Sequence, residues 1–333
     1  MSTAWLFPGQ GSQSVGMGKD VHDGSEAARS VWERANEALG EDLRALAFEG
    51  PEDRLMLTAN AQPAIVAMSF AMLAALQERI PDLPAPAWGA GHSVGEYSAL
   101  VAAGGVTFED AIRLVRARGK AMQEAVAPGV GAMAAVMGLD AETVGRICED
   151  ASGDEIVRPA NFNAPKQVVI AGHAGAVLRA GELVEKAMGR VIRLKVSAPF
   201  HCPLMQPAAQ TVERELGRIE IKPLAFPVIA NVDARPNAEP LLVKQLLVLQ
   251  VDGPVHWEES VRFLHEQQVT HCLEIGPGKV LAGLARRTVK QLRVLSVNSL
   301  AGIDSIASFL ALAPSTGSSF PPPTGRTMPP PTE

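Results

Sequence analysis

Apolar and polar positions along the chain alternate between two spacings. Thr3 to Phe7 and Ala87 to Ala90 are short apolar runs of strand length. Between them, Ser25 to Leu39 repeats its apolar residues at helical spacing, and Ala64 to Leu76 is apolar nearly throughout, as a fully buried helix would be. Strands alternating with helices predict an α/β fold with a largely parallel sheet. The order changes from Gly131: a strand (AMAAVMG), a helix over Ala141 to Asp150, strands over Ile156 to Asn161 and Gln167 to Ala171, a helix over Ala174 to Met188, and a strand over Val191 to Val196. This βαββαβ order predicts a small ferredoxin-like unit inserted into the larger one. Residues 313–333, rich in Pro, Ser and Thr, offer little to bury and predict a disordered tail.

Length and composition narrow the class. A chain of 333 residues with 47% hydrophobic and 20% charged residues can bury a core without staples. Cys148, Cys202 and Cys272 stand far apart with no ligand spacing, so neither a disulfide framework nor structural zinc is expected. The net charge of −6 leaves no general basic field for nucleic acid. The start MSTAWLFPGQGSQ lacks a basic n-region, and the Ala64 to Leu76 stretch is short for a bilayer. A soluble, cytoplasmic monomer acting without metal, cofactor or membrane is the expectation.

Gly91-His92-Ser93-Val94-Gly95 is a G-x-S-x-G pentapeptide between a strand-like and a helix-like segment (Glu96 to Ala103). In a nucleophile elbow the glycines permit a sharp turn that projects the serine, and the following amide helps to bind an oxyanion. An elbow in this setting predicts a large α/β-hydrolase-like catalytic domain of residues 1–128 and 197–312, with 129–196 as the small domain. The serine needs a base. His201 follows a predicted strand at its exit, where α/β sites collect their groups; His92, adjacent to the serine, is the alternative and is expected to point away.

On the helix Ala111 to Val126, Leu114, Val115, Met122 and Val126 share a face, and Arg113, Arg116 and Lys120 lie opposite. Arg118 falls in the middle of the apolar face. A guanidinium there requires an anion, either a protein carboxylate or a substrate carboxylate. The loop Phe7 to Gln13 can bring Gln10 and a backbone amide to the serine, whereas Gly276-Pro277-Gly278-Lys279 reads as a turn and helix start.

Taken in order, FPGQGSQ (7–13), AQPA (61–64), GHSVGEYSALVAAG (91–104), RGKAMQEAV (118–126), NFNAPKQVVIAG (161–172), SAPFHCPLM (197–205), PVHW (254–257) and EIGPGKVLAGL (274–284) resemble the malonyl-CoA:acyl-carrier-protein transacylases and the acyltransferase domains of polyketide synthases. The resemblance implies that Ser93 is the nucleophile and His201 its base and then acid. Gln10 and the Val94 amide would form the oxyanion hole, Arg118 would hold the substrate carboxylate, and Gln62 and Met122 would line the pocket. It places the histidine-orienting backbone carbonyl in PVHW, at His256. Phe200 would crowd a branched acyl group and so favour malonyl. The partners implied are malonyl-CoA and a phosphopantetheinylated acyl carrier protein of fatty-acid or polyketide synthesis, docked on Arg190, Arg193 and Lys195 or on Arg286, Arg287 and Lys290. A serine hydrolase of acyl thioesters and a non-catalytic docking module are the alternatives.

Overall fold

The computed structural model describes residues 2–196 and 198–311. The predicted tail, residues 313–333, lies outside them. Among the described residues ten strands form two sheets: β1 (Thr3–Phe7), β2 (Trp88–Gly91), β3 (Gly131–Met137), β4 (Val157–Ala164), β5 (Gln167–His173), β6 (Arg190–Arg193), β7 (Val228–Ile229), β8 (Pro236–Asn237), β9 (His271–Ile275) and β10 (Arg293–Val297). The first sheet runs β10-β9-β1-β2-β7-β8 and the second β4-β5-β3-β6. Every pairing in the first is parallel except β7 with β8, and every pairing in the second is antiparallel. Within the larger sheet, β1 and β2 end side by side, with Phe7 opposite Gly91. Their carboxyl ends therefore deliver the loop Pro8 to Gln13 and the elbow at Ser93 to the same place, as parallel α/β sheets do with their sites.

Several helices exceed their sequence boundaries. The apolar stretch at Ala64 to Leu76 belongs to a helix of 22 residues, Thr58–Arg79. That is long enough to cross a bilayer, but 78% of its most apolar window is buried, packed against Glu26–Leu39 and Phe108–Glu124. It is a core helix. Pro63 lies inside it, and proline has no N–H to give the carbonyl four residues back. That carbonyl, of Ala59, accepts instead from Arg116 Nη1 at 2.7 Å, which explains why Arg116 is not simply a solvated cation. A Cβ at Gly119 would overlap the Thr58 carbonyl, so glycine here lets the two helices approach closely. The approach sets Gln62 beside Arg118.

In the inserted segment β6 is shorter than its alternation suggests. Pairing with β3 stops at Arg193, beyond which the Leu194 amide makes one last bond to the Met133 carbonyl. Leu194, Lys195 and Val196 leave the sheet and line a cavity between the two sheets. A separate apolar cluster, including Val136, Val144, Ile170 and Val184, fills the space between the second sheet and the helices Ala141–Ser152 and Ala174–Lys186.

Candidate active site

The strand-turn-helix at Gly91–Gly95 bends so tightly that Ser93 takes a φ of 50°, a left-handed value rarely tolerated by a non-glycine residue. A Cβ at Gly95 would collide with the Phe7 carbonyl, so the elbow rests directly on the end of β1. Asn231, just beyond β7, holds the turn from the other side: its Oδ1 accepts from the Ser93 amide at 2.6 Å, and its Nδ2 donates to the Gly91 carbonyl at 2.7 Å. With the Ser93 amide so engaged, the Val94 amide lies at the start of the helix Gly95–Ala102. Neither it nor the Gln10 amide has an acceptor among the described residues. A free amide on the residue after the serine, with a second on Gln10 in the wall of the same cavity, is suited to an oxyanion.

Ser93 Oγ lies 2.8 Å from His201 Nε2, and His201 Nδ1 lies 2.8 Å from the backbone carbonyl of Gln250. A carbonyl can only accept, so Nδ1 carries the proton and Nε2 faces the serine as a base. Burial, then the nearby Arg118 guanidinium, push the imidazole down to about 3. It is neutral at any ordinary working pH. His92 bonds away from the serine, its Nε2 2.8 Å from Asn163 Oδ1, as expected of the residue adjacent to Ser93 in a sharp turn.

The orienting carbonyl is thus that of Gln250, and its assignment to His256 is corrected. His256 caps the helix Trp257–Glu266; its carbonyl accepts from the Ser260 amide and hydroxyl, and its ring stacks on Phe162 and bonds Glu259. Its amide donates to the Asn231 carbonyl at 2.8 Å, so the PVHW segment supports the elbow through Asn231 and not the base.

Arg118 is 1% exposed. Its Nη1 donates to Gln62 Oε1 at 2.7 Å, and its Nη2 to Gln250 Oε1 at 2.9 Å and Ser93 Oγ at 3.2 Å, while Nε has no partner. None of these acceptors is a carboxylate. Of the two readings open in the sequence, a structural ion pair is therefore absent among the described residues, and a cation held by neutral amides lines the cavity beside Ser93.

The cavity measures about 340 Å³. Gln10, Gln62, Ser93, Arg118, Met122, Phe200 and His201 all line it; Val94, fully buried, and His256 do not. Gln10 Nε2 donates to Thr58 Oγ1, and Gln62 Nε2 lies 3.6 Å from Met122 Sδ. Among the described residues no cluster of His, Cys, Asp and Glu could hold a metal. Cys202 donates to the Pro199 carbonyl, and burial pushes its thiol up to about 12, so it is no competing nucleophile.

Sequence reading missed Gln250, Asn231 and Glu96 as site residues. Gln250 had a signal: on the buried face of the helix Pro240–Asp252 it is the polar residue among Val243, Leu246, Leu247 and Val251. Asn231 follows a strand of two residues, too short to register as one.

An activated serine, an oriented neutral histidine, two free amides and a buried unpaired guanidinium on an α/β frame define a serine acyltransferase type of site. In agreement, residues 4–308 match the model of the acyl transferase domain family, and the chain belongs to that family. It is 46% identical over 296 residues to the malonyl CoA-acyl carrier protein transacylase of Escherichia coli strain K12, covering 89% of this chain and 95% of the relative. The acyl-carrier-protein S-malonyltransferase of Bartonella henselae is 44% identical, with a TM-score of 0.91 over 94% of this chain and 100% of that one. A malonyl-transacylase solved in complex with a type II polyketide synthase acyl-carrier protein is also 44% identical, with a TM-score of 0.90 over 93% and 100% of the two chains.

Proposed function

We propose that the chain transfers malonyl groups from malonyl-CoA to the phosphopantetheine thiol of an acyl carrier protein. The observation that carries this reading is Arg118, a buried cation without a carboxylate partner whose Nη2 lies 3.2 Å from the nucleophile's oxygen. An acyl group with a free carboxylate satisfies it; a plain acyl chain leaves it wanting.

Ser93 Oγ attacks the thioester carbonyl while His201 Nε2 takes its proton, and the tetrahedral oxyanion is held by the Gln10 and Val94 amides. Collapse breaks the C–S bond, and the leaving thiolate takes the proton from His201 as CoA departs. Arg118 holds the carboxylate of the malonyl-serine ester. The carrier's thiol then gives its proton to His201, attacks the ester and restores the Ser93 hydroxyl with that same proton. The imidazolium formed in each half-reaction is disfavoured by Arg118 in the free enzyme. A carboxylate bound to Arg118 offsets that charge, so the correct acyl group also makes His201 a better base.

Phe200 lines the cavity beside His201 and would meet a branch on the acyl α-carbon, which supports malonyl over methylmalonyl. Arg190 and Arg193 are exposed on β6, which leads directly to Lys195 at the cavity, and they form the docking face favoured for an acidic carrier. Of the alternative cluster, Arg287 already donates to Gln167. As to domains, 1–128 with 197–312 make an α/β-hydrolase-like unit and 129–196 a ferredoxin-like one; the strand order β4-β5-β3-β6 and the separate apolar cluster support the latter. The test is to supply malonyl-CoA with and without phosphopantetheinylated carrier. Malonyl-carrier formation outrunning free malonate supports the transferase; malonate release unaffected by carrier would make it a hydrolase.

A further inference from the structure

Among the described residues Glu96 is the one carboxylate in the hydrogen-bonded network of Ser93, Asn231, Gln250 and Arg118, and it is 3% exposed. Among the described residues it pairs with no cation. Its Oε2 accepts from the Asn231 amide at 2.9 Å and from Gln250 Nε2 at 2.8 Å. The same Gln250 Nε2 donates to the Ser93 carbonyl at 3.1 Å, and the other end of that amide, Oε1, accepts from Arg118. Glu96 and Arg118 are therefore opposite buried charges joined through a single amide. Glu96 also dictates which way the amide faces: a carboxylate accepts only, so Nε2 must turn to it and Oε1 to the guanidinium.

We propose that Glu96 is a positioning residue that balances Arg118 through Gln250 in the free enzyme and, when a carboxylate-bearing acyl group arrives, takes up a proton from solvent and yields that role to the substrate. The proposal rests on the reading of Arg118 as the carboxylate clamp. Two anions around one buried guanidinium exceed its charge, and the carboxylate without a direct contact is the one that neutralises most readily. Burial already pushes Glu96 up to about 7, against the hydrogen bonds from Gln250 and Asn231 and the field of Arg118. The other titratable groups facing it are Tyr97, next to it on the helix, and Asp233 after β7; His201 and His92 lie over the same cavity and interact with each other.

The sign follows from the direction of the shift. Above about pH 7 Glu96 is ionised and opposes a second carboxylate; below it Glu96 is neutral and does not. Both accepted hydrogen bonds fall on one oxygen, so Glu96→Gln retains them and removes the charge alone. The experiment measures dissociation constants of malonyl-CoA and acetyl-CoA from pH 6 to 8.5, by calorimetry, on the non-reacting Ser93→Ala protein with and without Glu96→Gln. The expected result is that the malonyl constant, divided by the acetyl constant to cancel effects of the CoA phosphates, rises about tenfold across that range, one pH unit's worth of coupling, and is flat when Glu96→Gln is added. A flat ratio with Glu96 present, or an undiminished rise with Glu96→Gln, overturns the proposal. The ratio in the Ser93→Ala protein decides the matter even if the double variant fails to fold. If Arg118→Ala leaves the two constants weakened equally, the clamp reading itself has failed, a result distinct from a pH-independent preference for malonyl.

Discussion

Replacing Arg118 by alanine removes the group on which the proposed acyl selectivity rests, and the loss can be estimated from its contacts. A substrate carboxylate paired with both guanidinium nitrogens makes two charge-assisted hydrogen bonds, each contributing about 1.5 to 3 kcal/mol. A loss of about 3 to 5 kcal/mol corresponds to a fall of roughly 100- to 5,000-fold in kcat/KM for malonyl transfer. Acetyl-CoA has no carboxylate to lose and forfeits only the Nη2 contact to Ser93 Oγ, so its kcat/KM should fall by about tenfold at most. The assay compares both thioesters with one carrier. Folding is checked by the thermal midpoint, since Gln62 and Gln250 each lose a donor in the variant. Arg118→Lys retains a charge but not the planar fork and should fall between wild type and alanine. Equal losses for malonyl and acetyl transfer would refute the carboxylate role.

Three further outcomes follow from the same geometry. His201, lowered to about 3 in the free enzyme, is neutral and competent above that value, so the second-order rate constant of acyl-enzyme formation from acetyl-CoA, which brings no carboxylate to Arg118, measured by stopped flow, should stay level from pH 8 down to about pH 5; an inflection near 6.5, the ordinary histidine value, would contradict the environment described. Glu274, fully buried with its carboxyl raised by burial, accepts from the Leu281 and Ala282 amides and Ser296 Oγ, so Glu274→Ala should cost about 2 to 4 kcal/mol of stability in denaturant melts with turnover per folded molecule unchanged; loss of activity without loss of stability would sink that structural role. Charge reversal at Arg190 and Arg193 should raise the KM for carrier severalfold while leaving self-malonylation from malonyl-CoA intact; an unchanged KM would move the docking face elsewhere.

Where one local rule decides, the sequence was sufficient. The elbow is legible because G-x-S-x-G between strand and helix admits few geometries, and Arg118 because a cation on an apolar helical face has to be explained. The βαββαβ order of the inserted segment could be read from alternation and helical spacing, although the end of β6 could not: Leu194 to Val196 keep the strand pattern while leaving the sheet to line the cavity. The orienting carbonyl was misplaced at His256 because a backbone acceptor leaves no mark on residue type; any residue at position 250 would present the same oxygen. Asn231 and Glu96 act across the fold on groups more than a hundred residues away in sequence, Ser93 for the first and Gln250 for the second, and no local pattern announces such pairings.

The most direct test of malonyl transfer through Ser93 is the intact mass of the protein after brief exposure to malonyl-CoA, with Ser93→Ala alongside and holo carrier added last. One malonyl adduct on the wild-type chain, mapped to the peptide bearing Ser93, absent from Ser93→Ala and discharged onto the carrier, is the result expected. An adduct that persists in Ser93→Ala, or one that no carrier can discharge, would contradict it.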